Sequence, residues 1–289
     1  MEIRRLDMDN PREREAFCEF VPRIWPGLDF SAWYRRKLME PGYQPYSAFE
    51  DGRLVANVSC TPMSLLVAGQ RLAGLQLGTV ATLPECRGQG LSRRLIEHVL
   101  ALHEAQVDLV FLFANESVVD FYPRLGFRRV REQAFSLASP GIVPAFSGRR
   151  LDPSRDEDLA LMLNLVLRRL PVSDGFCVLD CPHITLFHLI EAYPGGIVHL
   201  PEDEALVVLS EEPDCTRIVD LVLTRPVADS RALLAKAMES VPVRLEFGFT
   251  PDRLGLSNLV SEPNQELFFV RGDFPLEGKA FTFPLTMHT

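Results

Sequence analysis

The stretch TLPECRGQGLSRRLIEHVL, residues 82–100, joins a strand-like segment to a helix-like segment. Gly88 and Gly90 stand between the two segments, with Arg87 before them and Arg93 after them. A helix N-terminus presents unpaired N–H groups and about half a positive charge, and glycines let a ligand approach the main chain closely. The stretch therefore predicts a local anion site at the start of a helix.

The predicted anion site belongs to an acidic chain. The 289 residues carry a formal net charge of -9 and are 47% hydrophobic, which is typical of a globular protein with one large domain or two ordinary ones. A protein of this charge has no general basic field, so we expect no nucleic-acid partner. The glycine pattern matches neither GxxxxGK(S/T) nor GxGxxG, which argues against nucleoside triphosphates and dinucleotides as ligands.

The remaining bulk features favour a cytoplasmic protein. The first ten residues are too charged for a signal peptide, and no apolar run is long enough to span a membrane, so we expect no membrane partner. The six cysteines are scattered through a chain too large to need disulfides. Cys177, Cys181 and His183 lack the second ligand pair that zinc sites show, so we expect no metal.

Hydrophobic periodicity predicts a mixed α/β chain. Helices are expected over residues 11–25 and 29–39, a hairpin around Asp51-Gly52, a buried strand at 107–114 and a short helix within 116–127. The helix after the glycines is expected to bury an apolar face made of Leu91, Leu95, Ile96, Val99, Leu100 and Leu102.

The second half of the chain repeats the first in pattern. The RRLD at residues 4–7 recurs at 149–152, and VDLVFLFANE is matched by VRLEFGFTPD from Val243. No glycine pair follows the strand RIVDLVLT in the second half, so a copy has lost the anion site. The proline- and glycine-containing SPGIVPAFSG marks a boundary. We predict a first domain at 1–138, a linker at 139–148 and a degenerate second domain at 149–289.

Two motifs in the first half resemble the signatures of the GNAT superfamily of acetyl-CoA-dependent N-acetyltransferases. The first is Arg87-Gly88-Gln89-Gly90-Leu91-Ser92, in which Ser92 stands where the family has Gly or Ala. The second is Asn115 followed by FYPRLGF, which contains Tyr122. The resemblance covers roughly residues 1–138. It implies an α/β fold with a mixed sheet, here duplicated as two GNAT-like domains.

The resemblance also implies a co-substrate and roles for individual residues. Acetyl-CoA would place its pyrophosphate on the main-chain N–H groups after Arg87 and its pantetheine arm along the preceding strand. Tyr122 would act as general acid, and Asn115 would contact the pantetheine arm. Tyr122 packed beside Phe121, and Asn115 as a helix N-cap, are the structural alternatives. The implied acetyl-CoA-binding residues are Val80, Ala81, Thr82, Arg87, Gly88, Gln89, Gly90, Leu91, Ser92 and Arg93.

The acceptor implied by the resemblance is a primary amine on a small molecule or peptide. We expect it near the first two helices and the Asp51 hairpin, and the side chains of Trp25, Asp29, Trp33 and Tyr34 could line its site. Core packing explains the two tryptophans equally well. A homodimer is one of the oligomeric states open to the chain.

The sequence does not identify the general base. Gln76 lies on the strand before the glycines but cannot take up a proton, and a water chain or a neutral amine would serve instead. As a further hypothesis, the carboxylate of Thr289 reaches the first domain. The alternative to an enzyme is a module that binds acyl-CoA as a sensor or scaffold without catalysis.

Overall fold

The computed structural model describes residues 1–36, 38 and 42–289, which form two mixed β-sheets with helices packed on them. The strands are β1 (Glu2–Arg5), β2 (Gln44–Glu50), β3 (Arg53–Val67), β4 (Gln70–Thr82), β5 (Leu109–Ala114), β6 (Arg128–Val130), β7 (Gln133–Ala138), β8 (Arg149–Arg150), β9 (Phe176–Val178), β10 (Ile197–Leu200), β11 (Ala205–Glu212), β12 (Cys215–Leu223), β13 (Arg244–Phe247), β14 (Val260–Pro263) and β15 (Leu267–Gly272). The helices are α1 (Pro11–Ile24), α2 (Ser31–Arg35), α3 (Leu91–His103), α4 (Asp156–Leu167), α5 (Pro182–Glu191) and α6 (Ser230–Ala237). Within the described ranges, no helix is long and apolar enough to cross a membrane.

The helices of the first half agree with the periodicity in part. Helix α1 confirms the helix predicted over 11–25, with the Asn10 side chain accepting from the N–H of Arg12 at its start. Helix α2 covers only part of the predicted 29–39, and the predicted end at Met39 lies outside the described residues.

Two expectations about apolar segments were wrong. Leu102, in the last turn of α3, is 44% exposed, because Tyr46 meets the helix there through His103. The segment predicted as one short helix forms two separate 3-10 turns, Glu116–Val118 and Tyr122–Leu125. Pro123 has no N–H with which to continue a helix, which explains the break.

The first sheet has the strand order β1-β2-β3-β4-β5-β15-β6, with β9 paired to the end of β3. The β2–β3 hairpin turns at Asp51 and Gly52, which have φ of 49° and 77°, as a two-residue type I′ turn requires. This confirms the hairpin predicted at that dipeptide. Strands β4 and β5 are parallel neighbours, and their paired residues end at Leu77 opposite Leu112. Beyond that point the two strands separate and leave an opening in the sheet.

The second sheet repeats this order as β8-β10-β11-β12-β13-β7-β14. Apart from β9, each sheet has seven strands in the same order of places, and β12 and β13 are parallel as β4 and β5 are. The repeated order is consistent with a duplicated fold.

The last strand of each half lies in the sheet of the other half. Strand β7 pairs with β13 and β14 in the second sheet, whereas β15 pairs with β5 and β6 in the first. The division at 139–148 remains a prediction, and strand pairing crosses it at β7, at β9 and at β15. Each sheet is therefore completed by a strand from the other half of the chain.

The segment after β15 returns to the first sheet and is anchored along its path. Phe283 N–H donates to the buried carboxyl of Glu132 over 2.5 Å. Further on, Thr286 Oγ1 donates to Asp220 over 2.6 Å, and the same carboxylate pairs with Arg169 at 2.8 Å in the interior. The buried pair of Arg169 and Asp220 therefore anchors the end of the chain to β12 of the second sheet.

Candidate functional site

A cavity of about 1150 Å³ opens where β4 and β5 separate. Residues 78–82 of β4 line one side, and residues 113–115 line the other side. The start of α3 closes one end, while the opposite end is formed by α2, α5 and the last residues of the chain. Both halves of the chain thus contribute to one cavity, which has a polar end and an aromatic end.

The polar end is the glycine-containing turn before α3. Gly88 and Gly90 have φ of 78° and 76°, a left-handed conformation that favours glycine. A Cβ at either position would meet no atom within 4 Å, so the space beside the main chain is open. The side chains of Arg87 and Arg93 are exposed on both sides of it. The first N–H groups of α3, open space and two guanidinium groups fit an anion such as a pyrophosphate.

The predicted acetyl-CoA-binding residues converge on this cavity with one exception. Gln89 is exposed and does not line it, whereas the other nine do. Thr82 Oγ1 and Ser92 Oγ are 2.8 Å apart and tie the end of β4 to the first turn of α3. Ser92, the departure from the family pattern, therefore makes a contact that Gly or Ala could not make.

A bulge distorts β4 directly beside the cavity. Thr79 has a φ of 46°, and the register between β3 and β4 shifts at this point. Its carbonyl accepts from the buried side chain of Asn57 at 3.1 Å, and its hydroxyl lies 2.6 Å from the Tyr43 hydroxyl. A non-glycine residue at positive φ is strained, and such strain is retained where the surroundings hold it. No residue type in the sequence predicts this bulge.

Tyr122 lies in the wall of the cavity and is 4% exposed. Its ring packs against Phe121 and Phe269, with centroids 5.1 and 5.7 Å away. Burial raises the pKa of Tyr122 to about 12, so the phenol keeps its proton at neutral pH. The residue thus has the aromatic packing that was the structural alternative, and it also reaches the cavity.

Asn115 lies on the opposite side of the opening from β4. Its Oδ1 accepts from the N–H of Ser117 at 3.1 Å and from the Ser117 hydroxyl at 2.5 Å. The N-cap alternative is therefore confirmed for the turn Glu116–Val118. The residue caps that turn and lines the cavity.

The last residues of the chain form part of the aromatic end. His288 stacks on Phe113 with centroids 3.9 Å apart, and its carbonyl lies 2.8 Å from His188 Nε2 of α5. Thr289 packs on Gly78: a Cβ on that glycine would lie 2.6 Å from the Thr289 carbonyl carbon. The expectation that Thr289 reaches the first half is confirmed in position.

Gln76 holds this end of the chain. With its amide oriented to satisfy both groups, Gln76 donates to the Met287 carbonyl at 2.9 Å and accepts from the Thr289 N–H at 3.2 Å. The residue is fully buried. A glutamine matches this pair of partners, one acceptor and one donor, whereas a carboxylate would face the Met287 carbonyl unfavourably.

The expected acceptor-lining residues divide into two pairs. Trp25 and Trp33 line the cavity. Asp29 instead accepts from the N–H of Ser31 at the start of α2, and Tyr34 Oη accepts from Arg14 at 2.6 Å. Neither of these two side chains lines the cavity.

The second half supplies a wall that sequence reasoning missed. Ile184, Phe187 and His188 of α5 line the cavity from the side opposite the first sheet. No local pattern in the run from His183 to Ile190 indicates that α5 faces the same cavity as α2. His183 lies beside Trp33, its ring stacked at 6.4 Å. Among the residues that the structure describes, no three His, Cys, Asp or Glu side chains form a metal-binding group.

Comparison with known proteins agrees with this architecture. Residues 15–130 match the family described as acetyltransferase (GNAT) domain. A conserved protein from Enterococcus faecalis V583, described as a probable N-acyltransferase, has a TM-score of 0.64 at 18% identity, over 93% of this chain and 72% of that chain. Eis1 from Mycobacterium abscessus has a TM-score of 0.61 at 20% identity, over 94% of this chain and 73% of that chain. A GCN5-related N-acetyltransferase from Kribbella flavida has a TM-score of 0.59 at 17% identity, over 96% of this chain and 72% of that chain.

No curated protein matches the chain. At these identities the structural likeness establishes the fold alone. The matched segment contains the separated strands, the glycine turn and Tyr122. Residues 15–130 therefore match the GNAT acetyltransferase domain, and the chain as a whole has the mixed α/β fold of the solved structures to which it is similar.

Proposed function

We propose that the protein is an acetyl-CoA-dependent N-acetyltransferase that acts on a primary amine. The observation that carries the proposal is the single cavity that joins an anion-binding turn, two separated parallel strands and a buried tyrosine hydroxyl. An anion site alone would serve many ligands. The separated strands add a slot for an extended arm, and the tyrosine adds a proton donor at its inner end.

The polar end fits the pyrophosphate of acetyl-CoA. The N–H groups at the start of α3, from Gly88 to Arg93, would bind the phosphate oxygens, with Arg87 and Arg93 adding charge. The pairing of β4 with β5 ends before Val80, Ala81 and Thr82. The main chain of these three residues would hydrogen-bond the pantetheine arm as a strand does. Asn115 would contact the arm from the opposite strand.

Acetyl-CoA supplies the acetyl group as a thioester. The neutral amine forms a bond from nitrogen to the acetyl carbon, the carbon–sulfur bond breaks, and the amine nitrogen releases a proton. Main-chain N–H groups at the Thr79 bulge would stabilise negative charge on the acetyl oxygen. Tyr122 would donate its proton to the departing sulfur. Because burial raises the pKa of this phenol to about 12, Tyr122 holds its proton at any physiological pH.

Among the described residues of the cavity, the geometry favours no side chain as the acceptor of the proton that the amine releases. Gln76 is an amide engaged with the chain end, and burial lowers the pKa of His288 to about 3. We therefore propose that the amine enters in its neutral form or loses its proton to water. In a chain that ends at Thr289, the terminal carboxylate also lies at this point.

The rival function is an acyl-CoA sensor that binds without catalysis. The lack of a side-chain base among the described residues of the cavity is the observation in its favour. Tyr122 speaks against it, because a binding module needs no proton donor at the sulfur.

Thiol release from acetyl-CoA over a panel of amines, for wild type and Tyr122→Phe, tests the proposal. We expect amine-dependent turnover that falls at least about tenfold in the variant, because one general acid contributes about 10²–10⁴-fold. Acetyl-CoA affinity, measured by calorimetry, should stay unchanged, since the hydroxyl lies away from the glycine turn. Tight binding without turnover on the whole panel would favour the sensor, and absence of binding would refute both functions.

A further inference from the structure

We infer that the acceptor is a monoamine carried on an aromatic or apolar group, and that the cavity discriminates against polyamines and other polycations. The inference rests on the proposed transferase function and names the class of its second substrate. It is carried by the side chains at the aromatic end and by the signs of the charges around the cavity.

The aromatic end is a continuous set of rings from both halves of the chain. Phe30 and Phe187 lie with centroids 5.2 Å apart, Trp33 lies 5.1 Å from Phe187, and Tyr43 lies 5.4 Å from Trp33. Such rings bind an aromatic or apolar group through burial of its surface. They also tolerate one cationic or neutral nitrogen above a ring face.

The charged side chains around the cavity are of one sign. Among the described residues, the charged side chains that line it are Arg87, Arg93 and Arg124, and no Asp or Glu side chain does so. The two histidines of the aromatic end, His188 and His288, are kept neutral because burial lowers their pKa values. A polycation would therefore meet no side chain of opposite charge among the described residues. A terminal carboxylate at Thr289 would lie beside Gly78, where the reacting nitrogen enters, and would not serve a second ammonium group.

The free-energy cost of entering the cavity differs between a substrate with one amino group and a substrate with two. The reacting nitrogen must shed its proton before it attacks, and an apolar surrounding favours that neutral form. A second ammonium group would have to stay charged inside a wall of rings or fold back toward water. Burying a charge without a partner is costly, so each added ammonium should lower the efficiency of the substrate.

A matched pair of amines isolates this effect. n-Butylamine and putrescine have the same four-carbon chain and differ by the second amino group. We expect kcat/KM for n-butylamine to exceed that for putrescine by at least about tenfold, because the second charge has no partner. Phenethylamine should exceed both, since it buries a ring against the aromatic end.

A binding measurement runs beside the kinetic one. The chain has two tryptophans, and both line the cavity, so their emission reports occupancy without a label. We expect phenethylamine to change the emission of the CoA-loaded protein saturably, and putrescine at the same concentration to leave it unchanged.

Leu28 offers a variant that should alter the preference. It is partly exposed in the loop between α1 and α2 and lines the cavity. Leu28→Glu adds a carboxylate, and Leu28→Gln adds the same volume without charge. We expect the butylamine-to-putrescine ratio to fall at least about threefold in Leu28→Glu relative to Leu28→Gln, as expected for one new partly exposed ion pair.

The outcomes separate the two levels of the proposal. Putrescine turned over as well as n-butylamine would overturn the acceptor class and leave the transferase function standing. Thiol release with no amine, while phenethylamine still binds, would overturn the transferase function and the acceptor with it. A preference for n-butylamine over putrescine that becomes smaller in Leu28→Glu but not in Leu28→Gln would support the acceptor class and the transferase function.

Discussion

The side-chain amide of Asn57 donates a 3.1 Å hydrogen bond to the carbonyl of Thr79, which is held at a φ of 46° beside the cavity. Asn57 is fully buried, and its Oδ1 accepts from the Ser47 hydroxyl at 2.8 Å. A polar chain that starts in β2 thus ends at the strained residue of β4.

We expect Asn57→Ala to lower kcat by about tenfold or more while the KM for acetyl-CoA changes less. Without the amide, the Thr79 carbonyl loses its partner and the bulge can relax, which would misdirect the N–H groups assigned to the acetyl oxygen. Steady-state kinetics with the best amine of the panel measure both constants.

Ser47→Ala is the matched control for this prediction. It removes a buried hydrogen bond of the same network on the side away from Thr79, so its cost in stability should be similar, about 1–3 kcal/mol. Equal losses of kcat in the two variants would show that Asn57 acts only through stability.

A second prediction concerns the glycine turn. We expect Gly90→Ala to weaken acetyl-CoA binding by about tenfold or more, because a Cβ at this position occupies the open space beside the main chain. The fold itself should lose about 1–2 kcal/mol from the left-handed conformation. Calorimetry measures the affinity, and chemical denaturation measures the stability.

Gly52→Ala separates these two effects. Gly52 has a φ of 77°, close to the 76° of Gly90, and a Cβ there would also meet nothing within 4 Å. It lies in the β2–β3 turn and does not line the cavity. The same backbone cost with unchanged acetyl-CoA affinity is expected, and a comparable loss of affinity would refute the assignment of the glycine turn.

A third prediction concerns the end of the chain. Deletion of His288 and Thr289 removes the ring stacked on Phe113 and the contact with Gly78. We expect amine-dependent turnover to fall by about tenfold or more, because the aromatic end loses a wall, while the acetyl-CoA affinity stays within about threefold of wild type. Full activity after the deletion would remove this segment from the site.

Addition of two residues after Thr289 is the companion to that deletion. The addition keeps both side chains and replaces the terminal carboxylate by an amide. Loss of turnover in the extended chain, with acetyl-CoA binding retained, would point to the carboxylate or to the space around it. Retained turnover would assign the effect of the deletion to packing.

A fourth prediction concerns pH and stability. Burial raises the pKa of Glu132 from the usual 4.5 to about 8, so the folded protein keeps this proton where the unfolded chain has lost it. Stability is then fully present below pH 4.5 and declines as the pH rises toward 8. We expect Glu132→Gln to remove a decline on the order of a few kcal/mol over this window, as measured by denaturation at several pH values.

Glu266→Gln is the control for the titration of Glu132. Glu266 is exposed and contributes only a charge near that carboxyl. Its replacement should leave the decline in stability between pH 4.5 and 8 largely in place. An unchanged pH dependence in Glu132→Gln would mean that another group titrates over this range.

The sequence predicted the polar end of the cavity because local residue types determine it. Gly88 and Gly90 are required by their φ angles, and Tyr122 follows a recognisable motif. The aromatic end could not be predicted in the same way. Phe187 and His288 reach it through contacts between segments far apart in the chain, and no local pattern encodes such contacts.

The fold shows the same difference between local and distant information. Turns such as Asp51-Gly52 and the repeated strand pattern were predictable from residue types and spacing. The places of β7 and β15 were not, because the residue types of neither strand specify which sheet it joins. Which sheet it joins is decided by the packing of the whole chain.

The exchanged strands set the moment at which the cavity can first exist during synthesis. Segments leave the ribosome in chain order, and the place between β5 and β6 stays empty until β15, which ends at Gly272, has emerged. Phe269, which packs on Tyr122, arrives with that strand. A nascent chain that already carries the complete glycine turn therefore still lacks a finished site, and the cavity can be completed only after β15 has been translated.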